Sequence, residues 1–78
     1  MSRLYRAYVE ERDEVFRTLD FDRIERFCRK WGLDVPANEK VFKAGIYKEI
    51  LKMYSSTDKE KAEAMEWLTN HGFKTGLE

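Results

Sequence analysis

Proline occurs once in this chain, at Pro36. Inside a helix a proline removes a backbone hydrogen bond and clashes with the preceding turn, so a single proline leaves every other stretch open to helix formation. Hydrophobic residues make up 42% of the chain and aromatics 14%, proportions that a folded helical domain carries and a disordered chain lacks. The expected fold class is therefore all-α, a compact bundle of four short helices at about 3–18, 21–31, 39–54 and 58–71. These form a single helical domain over 1–76, and the terminal Leu77 and Glu78 read as a cloning-tag scar. In a chain of 78 residues the core is small, and only a few kcal/mol survive the chain entropy, so helix ends have to be nearly right.

Spacing and end signals locate the helices. At about 100° per residue, Leu4, Tyr5, Tyr8, Val9, Val15 and Phe16 gather on one side of the first helix. Asp20 is an N-cap candidate for the second, with Leu19 and Ile24 spaced as a hydrophobic staple. Phe21, Ile24, Phe27, Cys28 and Trp31 line its apolar face, and Gly32 followed by Leu33 is a helix stop. Asn38 caps the third helix, and Asp34, Val35 and Pro36 bridge to it. That helix is apolar on two sides, with Phe42, Gly45, Ile46, Ile50 and Met53 on one and Ala44, Tyr47, Leu51 and Tyr54 on the other. Ala44 and Gly45, both small, would let a neighbouring helix approach closely. Thr57 and Glu60 have capping-box spacing for the fourth helix, and Gly72 with Phe73 repeats the earlier stop.

Candidate chemistry is sparse. His71 is the only imidazole; general-base work needs an oriented partner and a pocket, whereas a last-turn histidine beside Trp67 has an ordinary role at the helix C-terminus. Cys28 falls on the apolar face, where a free cysteine serves as a small hydrophobe. One His and one Cys leave too few ligands for a zinc site, and Asp20 with Asp22 lacks the glycine turn and terminal glutamate of a calcium loop. The expectation is a protein with no catalysis, no cofactor and no metal. Arg12 and Glu49 each project into an apolar face; either they pair, which would fix helix register more than it would add stability, or Arg12 snorkels to water along its aliphatic stem.

Charge is balanced overall, fifteen basic against fifteen acidic residues, yet it is unevenly placed. Residues 23 to 54 carry eight basic and four acidic side chains, and both flanks are acidic. Arg23, Arg26, Arg29 and Lys30 share one face of the second helix and make nucleic-acid binding the alternative reading. From Cys28 to Leu33 the chain resembles the turn of a helix-turn-helix, but Asn38 stands where an apolar residue is needed and Pro36 lengthens the turn. The opening stretch, MSRLYRAYVEERDE, has no signal-peptide apolar run, and no stretch suits a membrane span. With a lone cysteine, the expected location is cytoplasmic.

Two segments, Phe42-x-Ala44-Gly45-Ile46-x-Lys48 and Trp67-Leu68-x-x-His71-Gly72-Phe73, resemble short helical proteins of phage and prophage type. The resemblance implies a small helical fold and no activity, and it carries no functional residues across. The function expected from the residues is a non-catalytic interaction module that binds another protein or itself. Its contacts would be the second stripe of the third helix, Ala44, Tyr47, Leu51 and Tyr54, because aromatic residues are enriched at such surfaces. The rival expectation is that the fourth helix or the tail at Phe73 covers that stripe.

Overall fold

The computed structural model describes residues 3–73, with side chains from Tyr5 onward, so the scar expected at Leu77 and Glu78 lies outside the described residues. The fold is all-α, and no strand occurs among the described residues. In chain order the helices are α1 (Arg3–Arg17), α2 (Phe21–Lys30), α3 (Glu39–Lys52) and α4 (Asp58–Asn70). The chain divides into two compact units, Met1–Val35 and Pro36–Glu78, each containing one pair of consecutive helices.

In the first unit α1 and α2 meet through aromatic rings. Phe16 meets Phe27 edge-on at 5.5 Å, Tyr8 stacks on Phe27 at 5.6 Å, and Tyr8 meets Trp31 edge-on at 5.3 Å. These offset and T-shaped arrangements match the charge distribution of aromatic rings. Val15, Phe16, Ile24, Phe27 and Cys28 are buried, whereas Tyr5, expected on the same arc, is more than half exposed.

The turn between these helices is tight. Thr18 Oγ1 donates to the Val15 carbonyl at 2.6 Å and accepts from the Asp20 N–H at 3.1 Å. Leu19 then takes a left-handed conformation, φ 55, where a glycine or asparagine is the usual residue. Asp20 caps α2, its carboxylate accepting from Arg23 N–H at 3.3 Å. At the other end Gly32 has φ 71, Gly32 N–H donates to the Arg29 carbonyl and Leu33 N–H to the Cys28 carbonyl at 2.8 Å. That pair of bonds is a Schellman stop, in which a residue without Cβ reverses the chain at no steric cost.

The second unit uses the same devices. Asn38 accepts from the N–H groups of Lys40 and Val41 at 2.9 and 3.2 Å and starts α3. Because α3 ends without a glycine, Met53 turns extended, φ −75 and ψ 130, and the helix stops two residues before the expected Tyr54. Thr57 and Glu60 form a complete capping box on α4: Glu60 N–H donates to Thr57 Oγ1 at 3.1 Å and Thr57 N–H to Glu60 Oε1 at 2.7 Å. Gly72, φ 77, and Phe73 repeat the Schellman stop, with Phe73 N–H donating to the Leu68 carbonyl at 2.8 Å. Phe42, Ala44, Ile46, Ile50, Met53, Ala64 and Leu68 are buried.

Close approach at Ala44 and Gly45 holds for one of the two. Ala44 is buried at 3% exposure, but Gly45 faces outward, and a Cβ built on it would meet no described atom within 4 Å. The reason is angular: consecutive helix residues lie about 100° apart, so a neighbour covering one leaves the next uncovered.

Candidate functional site

The surface expected to bind a partner runs along α3, and α4 meets it at Tyr47. The Tyr47 ring stacks on Trp67 at 4.7 Å with the planes 20° apart, and Trp67 in turn stacks with His71 at 4.0 Å and with Phe73 at 5.9 Å. His71 caps the C-terminus of α4 four positions after Trp67, which places both rings on one side. Burial pushes the Tyr47 hydroxyl up from its ordinary pKa, with Lys43 acting to lower it and Glu63 to raise it. Lys40 Nζ lies 5.6 Å from the Phe73 ring centroid, a cation over the end of the cluster.

This packing changes the expected stripe. Ala44 is buried, Tyr47 is half-buried beneath Trp67, Leu51 is half-buried, and only Tyr54 stands fully exposed. The four residues therefore form no continuous open surface. Trp67 of α4 covers Tyr47, as the rival expectation of a covering fourth helix had it for that residue.

His71 is an exposed residue held by its own helix. Its Nδ1 is 2.8 Å from the Trp67 carbonyl oxygen, which can only accept, so Nδ1 carries the proton and donates. Cys28 is buried, and that burial, with a smaller contribution from Glu25, raises its thiol pKa. A buried neutral thiol is a poor nucleophile. No group of three or more His, Cys, Asp or Glu side chains that could hold a metal occurs among the described residues.

The basic face of α2 divides in two. Lys30 Nζ lies 2.9 and 3.0 Å from the two carboxylate oxygens of Glu11 on α1, and Trp31 Nε1 donates to the same carboxylate at 3.4 Å. The hydrogen bond from Lys30 is the main reason that the Glu11 carboxyl titrates below its ordinary range. Arg29 is within 3.7 Å of Glu25 one turn away. Arg23 and Arg26 are exposed and have no carboxylate partner among the described residues. Sequence reasoning missed the Glu11, Lys30 and Trp31 clamp; its members lie nineteen and twenty positions apart on different helices, beyond the reach of any local periodicity.

Arg12, expected to lie within an apolar face, donates to the neighbouring Asp13 carboxylate at 2.9 and 3.1 Å and sits 6.0 Å from the centroid of the Tyr8 ring. No helix among the described residues is long and apolar enough to cross a membrane.

The class defined by these features is an all-α protein of two helical pairs with a single fully exposed tyrosine after α3. No family model matches the sequence, and neither curated proteins nor solved structures provide a match.

Proposed function

We propose that this chain is a non-catalytic helical interaction module that binds another protein or a second copy of itself, with Tyr54 at the centre of the contact. The observation that carries the reading is the complete exposure of Tyr54 in the turn just after α3, with half-buried Leu51 in the last turn of that helix. A tyrosine offers a large rigid surface at low entropic cost, and covering roughly 150 Å² of it would contribute about 4 kcal/mol at the usual coefficient. Such residues supply a disproportionate share of interface energy. The buried free thiol of Cys28 is compatible with a reducing compartment, and we place the chain in the cytoplasm.

The test uses Tyr54→Ser, a change at a residue that supports no packing, so the melting temperature should stay within a degree or two of wild type. Light scattering over a concentration series reads self-association, and parallel pull-downs with the two proteins read other partners. Complexes present with wild type and lost with Tyr54→Ser support the reading. Identical association by both proteins places the contact elsewhere.

A second reading is favoured by one observation, the exposure of Arg23 and Arg26 with no acidic partner among the described residues. Two phosphate contacts predict that log affinity for duplex DNA falls with log salt at a slope of about −2. Arg23→Glu with Arg26→Glu should abolish the retention. Absence of DNA and RNA retention at 20 mM salt, an ionic strength of roughly the low-screening regime, removes the reading.

A further inference from the structure

Gly45 stands where the fold has no use for a glycine. It lies inside α3, with none of the positive φ seen at Gly32 and Gly72, and a Cβ there would meet no described atom within 4 Å. A glycine at such a position costs helix stability, and its remaining physical advantage is that another backbone can come close to it.

The residues around it share a character. Val41, Gly45, Lys48 and Lys52 are spaced i, i+4, i+7 and i+11, so they fall within an arc of roughly 60° on one side of α3. Val41 is 46% exposed. Lys52 is exposed and Lys48 half-buried, and neither has a carboxylate partner among the described residues, whereas Lys43 on another face is held 3.2 Å from Glu39. The arc is thus apolar at Val41, flat at Gly45 and cationic at Lys48 and Lys52, with half-buried Glu49, one turn beyond Gly45, at its edge.

The geometry points to this face of α3 as the docking surface for an acidic amphipathic helix of another protein, seated over Gly45 with carboxylates toward Lys48 and Lys52. Charge complementarity selects the partner: two ammonium groups with no carboxylate partner among the described residues, beside an apolar position, attract carboxylates that flank an apolar seam. Gly45 sets the distance, since a missing side chain allows the axes to approach more closely than the usual helix separation. Tyr54 lies beyond the end of α3, outside this arc, and the two proposals are tested by different variants.

Two synthetic helical peptides with the same alanine and leucine seam, one flanked by glutamates and the other by lysines, serve as probes in fluorescence anisotropy at low salt. The glutamate peptide should bind and the lysine peptide should not. Gly45→Leu should weaken binding at least about tenfold while raising the melting temperature, which separates loss of docking from loss of fold. The double change Lys48→Glu and Lys52→Glu should reverse the preference between peptides, and Tyr54→Ser should leave the affinity unchanged. The inference is overturned by no saturable binding of the glutamate peptide, by binding indifferent to Gly45→Leu, or by binding that Tyr54→Ser abolishes. It is equally overturned if phosphatidylserine vesicles bind and Gly45→Leu has no effect on either ligand, because the lysines would then serve a membrane surface.

Discussion

Replacing Gly45 with alanine should stabilise the protein, and the magnitude follows from three observations. The residue is inside α3, its φ lies outside the left-handed region, and the added methyl meets no described atom within 4 Å. No steric term opposes the change, which leaves the difference in helix propensity, about 0.5–1 kcal/mol in favour of alanine. For a chain of this size, 1 kcal/mol shifts the melting temperature by roughly 4–8 °C, so a rise of several degrees is expected. Urea unfolding followed by circular dichroism is the assay, with the midpoint moving up and the slope unchanged. Gly32→Ala and Gly72→Ala are the internal controls: at φ 71 and 77 a Cβ is strained, and each change should cost about 1–2 kcal/mol. A destabilised Gly45→Ala with an unaltered slope would show that something covers this position, and would refute the reasoning.

Three further outcomes follow from other sites. Leu19→Ile keeps the volume but places a β-branched residue at φ 55, so stability should fall by about 1 kcal/mol or more; an unchanged urea midpoint would mean that the α1–α2 turn is not left-handed at this residue. Ser56 is buried and its hydroxyl has no hydrogen-bond partner among the described residues, so Ser56→Ala should be neutral or stabilising by about 1 kcal/mol in the same assay, and a clear loss would reveal a hidden partner. The Glu11 carboxyl is held below its ordinary range chiefly by Lys30, so it binds protons less readily folded than unfolded. Its contribution is therefore present above the unfolded glutamate range and lost as pH falls through the folded value. Urea midpoints measured across the acid range should decline less steeply for Glu11→Gln than for wild type, and parallel curves would show that the Lys30 contact is not maintained in solution.

The features that sequence made legible are those governed by short-range chemistry. Asp20, Asn38 and Thr57 cap helices because a side-chain oxygen one to three residues ahead can reach free N–H groups, a relation that spacing alone reveals. Gly32 and Gly72 stop helices because only the next two residues decide whether the reversal closes. The all-α class follows from the same signals. What remained hidden depends on which helix covers which face. Leu19 adopts a left-handed turn with no composition signal, since the surrounding hydrogen bonds of Thr18 and Asp20 impose it. Likewise the partition of the α2 basic face depends on Glu11 lying within reach of Lys30, which no one-dimensional pattern contains.

Helix α3 shows why a two-sided apolar pattern cannot by itself assign an interface. Phe42, Ile46, Ile50 and Met53 on one side are buried, and on the other Ala44 is buried while Tyr47 lies under Trp67. The first stripe is thus buried and the second partly covered, and a further sector is left exposed at Val41, Gly45 and Lys52, with Lys48 half-buried beside them. A helix covered on two sides has its remaining face determined by subtraction. Residues on that face contribute little to the core, so those that cost stability without returning packing, Gly45 above all, are the ones whose presence the fold does not explain. Apolar spacing therefore marks the surfaces that fold the chain, and binding surfaces are better sought where a residue is locally unfavourable and structurally unrewarded.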